Sequence, residues 1–579
     1  MTGTVTVAPM AVGLTPHLAA APILLPLLAG AALAAVGGWS RRLSRSIGLL
    51  AALAHLLICI GLYEIAHSGV IQVYAMSNWS APFGIVLVLD RLSALMLLLT
   101  SALSLTGLLY ANAAWADEGR RFQALWQFQV MGLSGAFLTG DLFNLFVFFE
   151  VLLAASYALL LHGGGRARVG STFHFVVINL TASAVFLIAV SLLYSVTGTL
   201  NMAHLSVVIG QIDANDVGVV AVSGVLLLAV FLIKSGLAPF HFWIPASYGS
   251  AAAPVVALVV AKVGAYAILR VFPLLFGPAT GGAGSGQAQP AAALADLALP
   301  WVLGLAILTL LVGAAGVLAA QTLRQLAAML TLVSIGTLFV PLALGTPATV
   351  SASAFYLVHS TVATAALFLI AEWVGTHRGL MGDRLQPGQA ISHPVLIGGA
   401  LLWALISSVG LPPTSGFISK ILVLDSLANV RGAGWLWAAI LFASFCSLLA
   451  ASRTLSLLLW NHRDEPGLRA PVGTPDDLAD SPLLRQPSAP AFRRPKGQAH
   501  LLMPVQSRDG RALGGLIATG FVLFLSVALV VMAGSLRAQT GALAEQLTNP
   551  GAYVNAVLGP SQHLAPFVRP SPARTGTAR

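Results

Sequence analysis

Apolar stretches long enough to cross a bilayer core of about 30 Å recur along almost the whole chain, separated by short polar connections. Their approximate limits are 19–37, 47–66, 88–112, 123–140, 142–161, 171–194, 217–237, 254–276, 301–319, 325–344, 351–374, 395–428, 435–460 and 513–536. The pattern predicts an all-α polytopic membrane protein of about fourteen transmembrane helices. The stretch 395–428 is long and carries "LPPTSG", so it reads as one broken helix. The segment 462–512 departs from the pattern: rich in Pro, charge and small residues, it reads as a flexible cytoplasmic loop. Residues 277–293, "GPATGGAGSGQAQPAAA", read as an outer Gly/Ala linker, and the tail from Ser561 is polar. The expected organisation is spans one to three (1–115), a five-span block (116–276), the outer linker (277–300), a second five-span block (301–461), the polar loop (462–512), and span fourteen with its tail (513–579).

Composition agrees with this pattern. Of 579 residues 57% are hydrophobic and 8% charged, against about 25% charged in a soluble domain. The formal net charge of +10 is explained by the positions of the basic residues and not by nucleic acid. Arg41, Arg42 and Arg45 follow span one, Arg120 and Arg121 span three, Arg166 and Arg168 span five, Arg324 span nine, and Arg378 and Arg384 span eleven. Eight more lie from Arg463 to Arg511, whereas 67–87 and 196–216 contain no Lys or Arg. This alternation fits the positive-inside rule with both termini on the outer face of a cell inner (plasma) membrane, and requires no nucleic-acid partner. No Lys or Arg precedes Arg41, so the first apolar segment is expected to be a retained span and not a cleaved leader.

Several chemistries find no support. Cys59 and Cys446 fall inside spans without metal-ligand spacing and read as small buried hydrophobes. The thirteen histidines form no HExxH or HxH pair, and no GxGxxG or Walker sequence opens a helix after a strand. No cofactor, catalytic residue or metal site is expected, and the chain reads as a transporter component, not an enzyme.

Two segments resemble each other. Span seven ends in "LIKSGLAPFHFWIP" (232–245) and span twelve contains "SVGLPPTSGFISK" (408–420). Proline removes a backbone donor and clashes with the preceding turn, so Pro239, Pro412 and Pro413 mark helix breaks. Within a membrane such breaks persist where protein or a watery cavity satisfies the freed backbone groups. Matching broken helices in two halves point to a transport path at the midplane. The two lie five spans apart, an odd number, so the halves would be inverted.

A few ionisable residues remain within the spans: Glu150 in span five, Lys234 before the break of span seven, Lys262 in "VVALVVAKVGAYAILRV" of span eight, His359 in span eleven and Lys420 after the break of span twelve. One charge at mid-helix costs about 2.5–3.5 kcal/mol, and four would cost on the order of 10 kcal/mol, comparable to the stability of a domain. Pairing, hydration and function are the usual reasons for keeping them. Acids and bases that respond to their neighbours are the parts of a proton relay: approach of Glu150 holds a proton on Lys234, and separation passes it toward Lys262, His359 and Lys420. Glu372, Arg270, Asp90, Arg91 and Asp425 lie near span ends, where they could snorkel to the interface, and read as structural.

The stretches "FNLFVFFEVLLAASYALLLHGG", "FLIKSGLAPFHFWIPASY", "VAKVGAYAILRVF" and "GLPPTSGFISKILVL" resemble the antiporter-like proton-pumping subunits of respiratory complex I and of multisubunit cation/proton antiporters. "SAPFGIVLVLDRLSALML" (80–97) and "NPGAYVNAVLG" (549–559) resemble more closely the D-type subunits of the Mrp-type (Pha or Mnh) Na⁺ or K⁺/proton antiporters. The resemblance covers nearly the whole chain. It implies a fourteen-helix fold with inverted five-helix repeats at spans four to eight and nine to thirteen, and places Glu150, Lys234, Lys262, His359 and Lys420 on a central hydrophilic axis. It also implies partner subunits of A, B, C, E, F and G type, with protons and Na⁺ or K⁺ as the transported ions and no redox cofactor in this chain. Where many respiratory relatives carry "AYSSxSH", this chain reads "AMLTLVS" at 328–334, so Ser334 stands at their histidine position. The alternative is a proton-pumping membrane subunit of a complex I-like oxidoreductase or related hydrogenase; a purely structural scaffold would require the buried charges to be silent pairs.

Overall fold

A computed structural model describes residues 15–36, 40–76, 79, 83–114, 119, 121–259, 262–276, 290–378, 381–387, 391, 393–460 and 509–559. Most of the expected polar loop (462–508), most of the Gly/Ala linker and the tail from Ser561 lie outside the described residues, and the last four loop positions, 509–512, already belong to a helix.

Every expected apolar stretch carries helix. α1 (Ala21–Val36), α2 (Arg41–His67) and α3 (Arg91–Ala114) form the N-terminal part. α4 (Phe122–Leu138), α5 (Leu142–Leu160), α6 (Arg166–Thr197), the short α7 (Met202–Ile209) and α8 (Val217–Ser235) follow, then α9 (Trp243–Ser250), α10 (Ala253–Val259) and α11 (Val263–Phe276). α12 (Pro290–Ala319), α13 (Leu323–Leu342), α14 (Pro347–His377), α15 (Pro394–Val409), α16 (Ser415–Ser426) and α17 (Ala433–Leu455) form the second block, and α18 (Asp509–Val531), α19 (Ala533–Thr548) and α20 (Gly551–Leu558) close the described chain. Among the described residues ten helices are long and apolar enough to cross a membrane alone, or up to eleven if the bent pair α18–α19 is one span. The remaining expected spans are either short, as α4 is, or divided: α10 from α11, and α15 from α16.

Burial is deepest at the centre. Within the span windows of α13 and α14, 89% and 100% of the residues are covered by protein, against 33% in α2 and α17. Peripheral helices turn Leu, Phe and Val outward, as a bilayer requires. Exposed tryptophans mark helix ends: Trp435 at the start of α17 and Trp460 just beyond its end. Indole rings favour that headgroup depth.

The structure departs from the sequence expectation in four places. The loop 67–87 holds an antiparallel hairpin, β1 (Gln72–Ala75) with β2 (Val86–Leu89), in register Gln72↔Leu89. α12 begins at Pro290, inside the expected linker. The stretch 254–276, expected as one helix, is divided between α10 and α11. After α18 the chain bends by 77° into α19, and α20 returns over α7 and the hairpin.

Candidate functional site

The two breaks expected from sequence are built alike. α8 stops at Gly236 and α15 at Gly410, each in the left-handed region (φ 74° and 87°) that glycine enters without penalty. The next N–H reaches back over the turn in both, from Leu237 to the Leu232 carbonyl at 3.2 Å and from Leu411 to the Ile406 carbonyl at 3.0 Å. Both are Schellman-type terminations, and a proline follows each within three residues. Lys234 therefore lies in the last turn of α8, and Lys420 in α16 just beyond its break.

The third break falls at Lys262. This residue precedes α11 with φ 51°, an uncommon conformation for a side chain with a β-carbon, worth about 1–3 kcal/mol of local strain. Lys262 thus occupies a helix interruption, not the mid-helix position expected for it. Gly264 permits that arrangement: a β-carbon there would lie 2.3 Å from Ser235 Oγ and 2.7 Å from Ser235 N. The start of α11 therefore packs directly on the end of α8, which brings Lys262 and Lys234 to one place.

Both lysines line a single cavity of about 70 Å³, together with the polar side chains of Gln129, Ser156, Asn179 and Thr331. The rest of its wall is mainly apolar, from Leu133, Leu152, Phe175, Ile335 and Phe339 among others. The space is large enough for several waters, and the two amines with those four side chains are polar groups able to hold them. Among the described residues Lys234 Nζ is buried without a hydrogen-bond partner. It lies 5.1 Å from the centroid of the Phe149 ring, a cation–π arrangement. Glu150 acts on Lys234 electrostatically but forms no direct ion pair with it among those described. Its carboxylate instead accepts a short hydrogen bond from Ser183 of α6. Glu150 is half-buried at the α5–α6 seam, on the same helical stripe as the exposed Phe143 and Val147.

On the other side of the cavity, Lys262 Nζ donates to Ser334 Oγ of α13 at 2.7 Å and to Ser360 Oγ of α14. Next to Ser360, His359 is 3% exposed and its Nδ1 lies 2.9 Å from Ser415 Oγ, the first residue of α16. It interacts electrostatically with both Lys262 and Lys420. Lys420 is buried and donates to the Val409 carbonyl at the end of α15 and to Ser444 Oγ of α17 at 2.7 Å. The five residues singled out from sequence thus form a row of neighbours, Glu150 to Lys234, Lys234 to Lys262 through the shared cavity, and Lys262 to His359 to Lys420. Of the serines that hold them, sequence reasoning marked Ser334, by resemblance and without a role, and missed Ser183, Ser415 and Ser444. Serine is common inside apolar helices, where it usually bonds its own backbone, so the residue type alone carries no signal.

Arg270 and Asp90 do not snorkel. They form a buried bidentate pair (2.6 Å for each bond) that also engages Ser93, with the Tyr553 ring 5.3 Å from the guanidinium. Arg324 and Glu372 pair at 2.5 Å at the opposite ends of α13 and α14 from their shared loop. Both are ion pairs made within the protein. Cys59 and Cys446 are buried free thiols.

Residues 139–448 match the family described as NADH:quinone oxidoreductase/Mrp antiporter, TM. The chain is 42% identical over 443 residues, 72% of its length and 80% of the relative's, to a protein of Rhizobium meliloti (strain 1021) named as the probable D-type subunit of a K(+)/H(+) antiporter. It is 34% identical over 465 residues, 78% of its length and 90% of the relative's, to the D-type subunit of the Na(+)/H(+) antiporter of Bacillus subtilis (strain 168). A chain in the structure of the Mrp complex from Dietzia sp. DQ12-45-1b superposes with a TM-score of 0.75 at 27% identity, covering 94% of this chain and all of that one.

Proposed function

The chain belongs to the NADH:quinone oxidoreductase/Mrp antiporter transmembrane family, and from that premise we propose that its buried row carries protons for a monovalent cation/proton antiporter. The chain is a multi-pass membrane subunit of D type in a multisubunit Na⁺ or K⁺/proton antiporter, a secondary transporter component and not an enzyme. Other subunits of that complex are its partners. The complex I-like alternative is less favoured, because the curated relatives at 34–42% identity are named antiporter subunits.

The observation that carries the proton path is the internal cavity shared by Lys234 and Lys262. An ammonium with no hydrogen-bond partner, backed only by an aromatic face, is poised to release its proton into waters that also reach the next amine. Glu150 modulates Lys234 by its distance: two unit charges about 6 Å apart at an effective dielectric near 20 interact by about 2.8 kcal/mol. A change in that separation moves the proton on or off the lysine. From Lys262 the route continues past His359 to Lys420. The matched breaks after Ser235 and Val409 suit a pair of inverted five-helix repeats, 116–276 and 301–461. The basic loops suit a plasma-membrane orientation with both termini outside.

The test is ion transport in everted vesicles from antiporter-deficient cells expressing the whole operon. Glu150→Ala and Lys234→Ala each abolish the Na⁺- or K⁺-dependent collapse of the pH gradient while the subunit still inserts. Normal exchange by either variant overturns the proposal.

A further inference from the structure

We propose that Ser334 and Ser360 are positioning residues of the proton route, jointly holding the Lys262 ammonium between the cavity and His359. The inference rests on the reading of Lys262 as a station of that route.

Lys262 leaves the backbone at a helix interruption, so no regular helix geometry fixes its side chain. Its Nζ is fixed instead from two other helices, by Ser334 of α13 at 2.7 Å and by Ser360 of α14. Both serines are buried, at 7% and 3% exposure. An ammonium has three donors and no acceptor. Two of them are satisfied by these hydroxyls, which leaves the third for the cavity that Lys262 lines. The titratable groups around it are Lys234 of α8 and Tyr248 of α9 across the cavity, and Tyr356 and His359 of α14. On its own helix, Tyr266 is engaged with the Phe137 carbonyl. Among the described residues no carboxylate pairs with Lys262, so the two hydroxyls are the neutral dipoles that favour its charged form.

Both hydroxyls act as acceptors toward Lys262 and keep their own hydrogen. The Ser360 O–H is directed at the Leu357 carbonyl of its own helix, 3.3 Å away, which turns its lone pairs toward the lysine. A serine in this place supplies an acceptor without a titration of its own. Ser334, which also engages the Tyr356 hydroxyl, therefore adds no proton-binding step of its own where a histidine would.

The whole complex in everted vesicles is assayed across pH with Ser334→Ala, Ser360→Ala, the double variant, Ser334→Thr, Ser360→Thr and Lys262→Ala. Loss of an acceptor favours the uncharged amine. Each single alanine is therefore expected to move the alkaline limb of the transport profile to lower pH by about one unit, and the double variant to move it further, with rates about tenfold lower on that limb. Each threonine variant, which keeps the hydroxyl, retains the wild-type limb. Should its extra methyl lower the amount of subunit in the membrane, Ser→Cys at the same position serves instead, with an intermediate shift because sulfur is a weak acceptor. A double-alanine complex with the wild-type rate and profile, beside an inactive Lys262→Ala, overturns this inference and leaves the route standing. So does a double-alanine complex that loses rate equally at all pH values with its limb unmoved. Wild-type exchange by Lys262→Ala overturns the route itself, a separate outcome.

Discussion

At Arg270 and Asp90, two charges sit at 4% and 1% exposure and are tolerable only because each oxygen of the carboxylate meets its own guanidinium nitrogen. Removing one partner strands the other, which costs about 3–5 kcal/mol. Arg270→Ala is therefore expected to lower the thermal unfolding temperature of the detergent-solubilised protein, and Arg270→Ala with Asp90→Ala to be less damaging than the sum of the two. Additive losses in that double-mutant cycle contradict the pairing. Lys420 behaves differently, since its partners are a carbonyl and a hydroxyl. Lys420→Ala leaves no orphaned charge and is expected to stop transport with little loss of stability, read as exchange rate against melting temperature. The titratable residues of the row were legible in the sequence, because a charge in an apolar stretch has a cost that demands a reason. Their serine partners were not, apart from Ser334, which only the comparison with relatives' motifs marked. Ser156 and Ser223 show why: each bonds the carbonyl four residues back, in α5 and α8 respectively, so a hydroxyl in a span satisfies itself and leaves no imbalance to notice.

Among the elements, the breaks after α8 and α15 could be read from sequence, since glycine and proline together leave a helix few alternatives. The break at Lys262 could not. "VVAKVGA" contains no proline, and the interruption depends on packing, with Gly264 seated on Ser235 of another helix. At Gly410 the same closeness has a consequence for function: a β-carbon there would lie 2.6 Å from Lys420 Cδ. Gly410→Ala combines a left-handed residue with displacement of the lysine stem, so exchange is expected to fall by more than tenfold while the protein still reaches the membrane; a normal rate rules this out. α5, which carries Glu150, starts on Asp141, whose carboxylate accepts from the Asn144 N–H at 2.9 Å. Burial pushes the Asp141 carboxyl above its usual value, and the N–H groups of Asn144 and Phe143 offset this only in part. A raised value means that the folded state prefers the protonated acid. Its contribution to stability is complete below the unfolded value and declines as pH rises through the folded one. Asp141→Asn keeps the cap and flattens that decline, whereas Asp141→Ala loses about 1 kcal/mol; melting temperatures from pH 4 to 8 distinguish the two.

Taken as a whole, the molecule has a covered centre, α13 and α14, on which the row of Lys262, His359 and their serines is mounted, and an apolar rim. The covered middle is seen only in the structure, whereas the fourteen stretches follow from hydropathy. The hairpin, the bend after α18 and the return of α20 do not. They are short, and they form by meeting surfaces that are distant along the chain. Tyr553→Ala, which removes the ring from the Arg270 guanidinium, is expected to lower the melting temperature, and Tyr553→Phe, which keeps the face, to be nearly neutral. The place of that ring also sets an order of assembly. The carboxylate and guanidinium it covers belong to α11 and to the turn before α3, and can join once α11 has entered the bilayer. The aromatic lid over them belongs to α20, close to the end of the described chain. A half-made polypeptide therefore carries a finished salt link under an open roof, and synthesis must run on through α20 before that roof is closed.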